Sequence, residues 1–172
     1  MNAGPALRIA WAPPVSWLPE AVRNPSSVLR SVALGWLVAF SVTILIAGAI
    51  QLVAPDARSP EFAISGPIAV ALLAVFSPIA ETLIMGGVLL ILLRFLPPTW
   101  AVVASAVGWG VVHSLAAPVW GLIIWWPFLV FSTLFVAWRE RSLTMAFVIP
   151  AIVHGLHNLP SAVFVATAVP GA

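Results

Sequence analysis

Apolar residues in this chain neither alternate with polar ones nor keep to one stripe. They run in long blocks separated by short polar or proline-containing stretches. Five blocks stand out: Ser31 to Val53, Ile64 to Phe95, Thr99 to Leu115, Val119 to Trp138 and Leu143 to Ala168. A helix crosses the hydrocarbon core of a bilayer with roughly 17–25 residues, and every block reaches that length. Lipid offers no hydrogen bonds to an open strand, and the alternation of a barrel is missing, so the blocks predict helices. Prolines mark the second and fifth. Ser77-Pro78 reads as a helix start, with Ser77 as N-cap and Pro78 in the first turn; the alternative is one long kinked helix. Pro160 has no N–H, so the Leu156 carbonyl, four residues earlier, loses its usual helical donor.

The expected fold is an all-α integral membrane protein, a bundle of about five transmembrane helices in one domain over 31–172. An arm over 1–30 precedes it. Pro5, Pro13, Pro14, Pro19 and Pro25 interrupt that arm, so it lacks the apolar run of a signal peptide and reads as a mostly irregular cytoplasmic or interfacial segment. Trp11 and Trp17 suit a membrane interface. On α-helical spacing Ala104 and Gly108 form a small pair fit for close helix contact.

Composition agrees. Hydrophobic residues make up 62% and charged residues 7% of the 172, whereas a soluble domain carries about 25% charged. There is no cysteine, which excludes disulfides, thiolate metal sites and a cysteine nucleophile. The net charge is +2 and the basic residues are all arginine, with no cluster that could neutralise phosphates, so nucleic acid is not a partner. Arg8, Arg23, Arg30, Arg94, Arg139 and Arg141 fall at one side of a five-span chain; Arg58 falls at the other, beside Asp56 and Glu61. The excess of loop arginines places the N-terminus in the cytoplasm and the C-terminus outside. The arginine-only, alanine-rich composition points to a bacterial plasma (inner) membrane.

With the loop charges set aside, few ionisable residues lie inside the blocks: Glu81, His113, His154 and His157, with Asn158 following. Such residues at membrane depth are costly and mark functional sites. Glu81 lies 13 residues before Arg94, His113 lies 14 after Thr99, and His154 lies 13 after Arg141. At 1.5 Å per residue each is about 20 Å from the cytoplasmic end of its helix. Three helices thus bring Glu, His and His to one level. His154 and Asn158 share a face at i, i+4.

These residues resemble the CPBP family, the glutamic-type intramembrane proteases that include CAAX endopeptidases and bacteriocin-processing enzymes. Its first motif, Glu-Glu-x-x-x-Arg, aligns with Glu81-Thr82-Leu83-Ile84-Met85-Gly86. The second, Phe-x-x-x-His, aligns with Trp109 to His113, and the third, His-x-x-x-Asn, with His154 to Asn158. The resemblance covers about Gly66 to Pro160 and implies a four-helix protease core there. It implies that Glu81, His113, His154 and Asn158 are catalytic. Glu81 would be the base for a water that His113 helps orient, and His154 and Asn158 would hold the oxyanion. No cofactor and no metal are implied, and the partner is a membrane protein or peptide substrate within the lipid bilayer. Trp109 would wall the site, and the motif makes no demand on His157. Thr82 and Gly86 depart from the motif's second Glu and its Arg.

Two other functions fit the same residues. Glu81, His113 and His154, with His157, are ligand types for a zinc-dependent membrane hydrolase, although no His-Glu-x-x-His signature is present. A non-proteolytic family member, acting as a scaffold or immunity protein, would explain the changes at Thr82 and Gly86.

Overall fold

The computed structural model describes residues 9–57 and 60–168. Pro5, Arg8 and Arg58, used above, lie outside the described residues, as do the ends of both sequence-defined regions. Five long helices follow one another: α1 Val28–Val53, α2 Gly66–Leu92, α3 Pro98–Ser114, α4 Pro118–Arg139 and α5 Leu143–Thr167. Among the described residues there are no strands. Four of the five, α1, α2, α4 and α5, are long and apolar enough to cross a membrane. The fifth, α3, has 17 residues, about 25 Å at 1.5 Å per residue, a little short of the core's roughly 30 Å. The chain is an all-α integral membrane protein.

Local chemistry sets the helix ends. Ser27 caps α1 by accepting from the Arg30 N–H, and Ser142 caps α5 by accepting from Met145 N–H at 3.3 Å. Pro98 and Pro118 sit in the first turns of α3 and α4, where a missing N–H costs nothing.

At Ser77-Pro78 the alternative reading holds and the helix-start reading is corrected. Ser77 has helical angles, φ −60° and ψ −49°, so α2 runs through it. Just before, Ala71–Phe76 widens into a π-helical turn. In the i→i+5 register of that turn the nitrogen facing the Leu73 carbonyl is that of Pro78, which carries no hydrogen. The side-chain amide of Asn158, on α5, takes up this carbonyl at 3.1 Å. Pro160 acts in the same way, and the Leu156 carbonyl accepts instead from the Trp36 indole N–H of α1 at 3.2 Å. Each proline thus opens a backbone acceptor that a second helix closes.

Helix α4 is the centre of the bundle. From Pro127 to Trp138 it is buried without a break, with Phe128, Phe131, Leu134 and Phe135 almost fully enclosed by α1, α3 and α5. Such all-round apolarity marks a helix surrounded by others. Helix α3 packs broadly on α4 and lightly on α2. The close approach of α3 to α4 does not use Ala104 and Gly108, which are both exposed. It uses Gly110 and Gly121: a Cβ on Gly121 would collide with the Gly110 carbonyl and with Ser114 Oγ. A buried Ser105–Ser132 hydrogen bond of 3.0 Å ties the same two helices.

The described part of the arm folds back on the end of the bundle where α3 begins. Val15, Leu18 and Val22 are buried. Ala12 N–H donates to Thr99 Oγ1 at 3.0 Å, Trp11 Nε1 to the Arg23 carbonyl at 2.7 Å, and Ser31 Oγ to the Ala21 carbonyl at 3.0 Å. Trp17 is left 78% exposed, as an interfacial anchor would be.

Candidate active site

Glu81 lies on α2, one turn after Ser77. Its two carboxylate oxygens face different partners. Ser77 Oγ donates to Oε1. Oε2 lies 3.8 Å from Nε2 of His154 on α5. That gap exceeds a direct hydrogen bond. The Glu81 side chain retains 23% exposure, while that of His154 retains 4%. The Glu81 side chain is partly exposed, and the imidazole that faces it is held in protein.

Aromatic side chains of α4 hold His154. Its ring stacks on Phe131 at 4.7 Å and meets Phe128 edge-on at 5.2 Å. Nδ1 is buried and meets no protein partner. Phe128 also contacts His113 of α3, centroids 5.8 Å apart, so one ring separates the two histidines. His113 is further packed by Trp109 at 5.7 Å and by the edge of Trp120 at 4.7 Å. His113 Nδ1 lies 2.8 Å from the Trp109 carbonyl. A carbonyl only accepts, so the proton sits on Nδ1 and the lone pair on Nε2. The Trp109 carbonyl therefore sets the tautomer of His113, and its ring packs against the imidazole.

The sequence-predicted residues are placed unequally. Glu81 and His154 face each other directly, and His113 stands one aromatic ring away. Asn158 is one turn from His154, but one of its amide hydrogens is committed to the Leu73 carbonyl. His157 is buried against Phe40 and Phe131, at 6.0 and 5.8 Å, with Nδ1 unpartnered by protein. Among the described residues no three or more His, Asp or Glu side chains are grouped to hold a metal ion, so the zinc reading gains no ligand cluster from this geometry.

Sequence reasoning passed over Ser77 as a site residue, although its i, i+4 spacing from Glu81 is the signal that places both on one face. It also passed over Phe128 and Phe131, whose i, i+3 spacing on α4 puts both against His154.

The two departures from the motif have different surroundings. Thr82 is fully buried, its hydroxyl unpartnered by protein. At Gly86 an added Cβ would lie 2.6 Å from Phe135 Cε2 and closer still to Phe147 Cε1. Aromatic rings occupy the space that a side chain at position 86 would need. Beyond them an apolar groove of about 680 Å³ runs between α2 and α5, walled by Ile79, Leu83, Val148, Ile152 and Leu156. It reaches Thr82 and Gly155, the chain neighbours of Glu81 and His154.

The family model described as type II CAAX prenyl endopeptidase, Rce1-like, matches residues 63–160, more than half of the chain and the whole of the stretch that carries the three motifs. No curated protein and no solved structure matches the chain.

Proposed function

Because the chain belongs to the Rce1-like family of type II CAAX prenyl endopeptidases, we propose that it is a glutamic-type intramembrane endopeptidase that cuts a membrane-embedded or membrane-anchored protein or peptide. The observation that carries this reading is the Glu81 carboxylate, with one oxygen held by Ser77 and the other turned to His154 Nε2 inside the bundle.

The chemistry follows from the placement. A water on the Oε2 side of Glu81 gives up a proton to the carboxylate as its oxygen adds to the scissile carbonyl. His113 Nε2, a lone-pair acceptor in the tautomer set by Trp109, orients that water. The Nε2–H of His154 borders the same space and donates to the oxyanion, joined by the amide hydrogen of Asn158 that Leu73 does not use. Oxyanion donors are worth roughly 3–4 kcal/mol each in other hydrolases. The proton on Glu81 then passes to the leaving amine as the C–N bond breaks, restoring the carboxylate. The groove between α2 and α5 suits the apolar part of such a substrate, since it reaches both helices that carry the chemistry.

Orientation and location form part of the proposal. Helices α1, α3 and α5 begin, and α2 and α4 end, at the side that carries Arg23, Arg30, Arg94, Arg139 and Arg141. This supports an N-terminus in the cytoplasm of a bacterium and a C-terminus outside. A reporter fused to the C-terminus checks it; cytoplasmic signal overturns it.

The test of the activity uses full-length protein in liposomes. The probe is a prenylated CAAX-type peptide, run beside a proteomic comparison of cells carrying wild type and Glu81→Gln. Wild type should release cleaved product that Glu81→Gln and His113→Ala do not. Cleavage unchanged in both variants sinks the assignment.

A further inference from the structure

We infer that Ser77 is a positioning residue for Glu81, and that Asn158 governs it through the carbonyl of Leu73. The inference deepens the proposed function and rests on it for its purpose.

The starting point is a conflict on α2. A serine inside a helix usually turns its hydroxyl back to the carbonyl four residues earlier. For Ser77 that carbonyl is Leu73's. Pro78 has stripped the same oxygen of its backbone donor, and Asn158 Nδ2 occupies it at 3.1 Å. The Ser77 hydroxyl turns forward instead and donates to Glu81 Oε1. The amide on α5 thereby decides the direction of a hydroxyl on α2.

The consequence falls on the carboxylate. The last torsion of a glutamate is broad and leaves the two oxygens interchangeable. A charge-assisted O–H donor on Oε1 fixes that torsion and leaves Oε2 toward His154. Thr82 and Gly86 offer Glu81 no charged neighbour on its own helix, and among the described residues its hydrogen-bond partner is Ser77. Ser77 therefore supplies the fixed geometry that a general base requires, and Asn158 supplies it at one remove.

The chain suits a direct chemical test. It has four glutamates, Glu20, Glu61, Glu81 and Glu140, one aspartate, Asp56, and no cysteine. Full-length protein in phosphatidylcholine liposomes is treated with dicyclohexylcarbodiimide, an apolar carboxyl reagent, and modification of Glu81 is followed by mass spectrometry. Glu81→Gln gives the blank. Ser77→Ala should raise the rate at Glu81 about five- to tenfold, the equivalent of one lost hydrogen bond, while Ser77→Thr, which keeps the hydroxyl, stays within about twofold of wild type. Asn158→Ala and Asn158→Leu should raise it similarly, because Ser77 then turns back to Leu73. Adding Ser77→Ala to either should change nothing further, as expected for residues acting in series. On the cleavage probe Ser77→Ala should lower kcat with KM unchanged, and Ser77→Thr should restore it.

A wild-type labelling rate in Ser77→Ala overturns the role of Ser77. A raised rate there with no change in both Asn158 variants overturns the role of Asn158. The labelling does not depend on proteolysis: if it behaves as expected while Glu81→Gln still cleaves, the protease reading fails and the positioning survives.

Discussion

Gly86→Ala tests how the bundle accommodates its altered first motif. The new Cβ would lie 2.6 Å from Phe135 Cε2 and closer to Phe147 Cε1. Phe135 is fully buried, and the two rings brace each other edge-on at 5.0 Å. Phe135 is the ring that cannot give way, whereas Phe147 is partly exposed and borders the groove between α2 and α5. Overpacking of this kind costs about 1–3 kcal/mol. Against it stands the propensity gain of Ala over Gly inside a helix, about 1 kcal/mol at most. The clash outweighs that gain over most of its range, leaving a net loss of up to about 2 kcal/mol. Gly87→Ala is the control, because a Cβ there meets nothing within 4 Å; it should be neutral or stabilising. Thermal unfolding of the purified proteins in detergent reads both. At about 2–4 °C per kcal/mol for a chain of this size, Gly86→Ala should unfold several degrees below wild type. Phe147→Ala opens the space, so Gly86→Ala should cost much less in that background. Equal unfolding temperatures for Gly86→Ala, Gly87→Ala and wild type would refute the claim that these rings fill the position.

Gly121→Ala should be harsher, at least about 3 kcal/mol, because its Cβ meets the backbone carbonyl of Gly110 rather than a movable side chain; yield of monodisperse protein after extraction reports it. Trp36→Phe keeps the stack on Phe40 but removes the donor to the Leu156 carbonyl, at about 1 kcal/mol by thermal unfolding. In a Pro160→Ala background that carbonyl regains its helical donor, so the same change should cost close to nothing, and an equal cost in both backgrounds contradicts the account. His113→Ala should reduce cleavage of the probe peptide about 100-fold or more, the scale of a lost acid–base group, with unfolding temperature little changed; full activity would remove His113 from the site.

The spans were legible because membrane burial forces long apolar blocks, and each predicted block lies within a few residues of an observed helix. The convergence of Glu81 on His154, with His113 one ring away, was also hinted at, since helical rise converts residue counts into distance along each helix. Other features depend on contacts between positions far apart in sequence. Ser77-Pro78 carries the same signal whether it starts a helix or lies within one; what decides is the Asn158 amide reaching Leu73, 85 residues away. Ala104 and Gly108 have the spacing of a helix contact, but α3 turns that face outward and meets α4 through Gly110. The Pro160 effect was half readable: the proline names the freed carbonyl, and the fold alone names Trp36 as its donor.

The departures at Thr82 and Gly86 admit two histories. A motif that decays on an unchanged framework leaves the space of its lost side chains empty. Here the space at Gly86 is closed, because Phe135 and Phe147 press on it from two other helices, while Thr82 is buried beside the groove between α2 and α5. Exchange of a buried ion pair for packed apolar groups of similar volume is often neutral or stabilising, so the bundle need not have weakened. What such an exchange removes is the charged support that a Glu and an Arg could give to Glu81. The Ser77 hydroxyl, turned forward by Asn158 on Leu73, occupies that role on the same helix. Close packing at Gly86, together with a hydrogen bond that holds one oxygen of Glu81 and leaves the other toward His154, is the arrangement that the proposed activity requires.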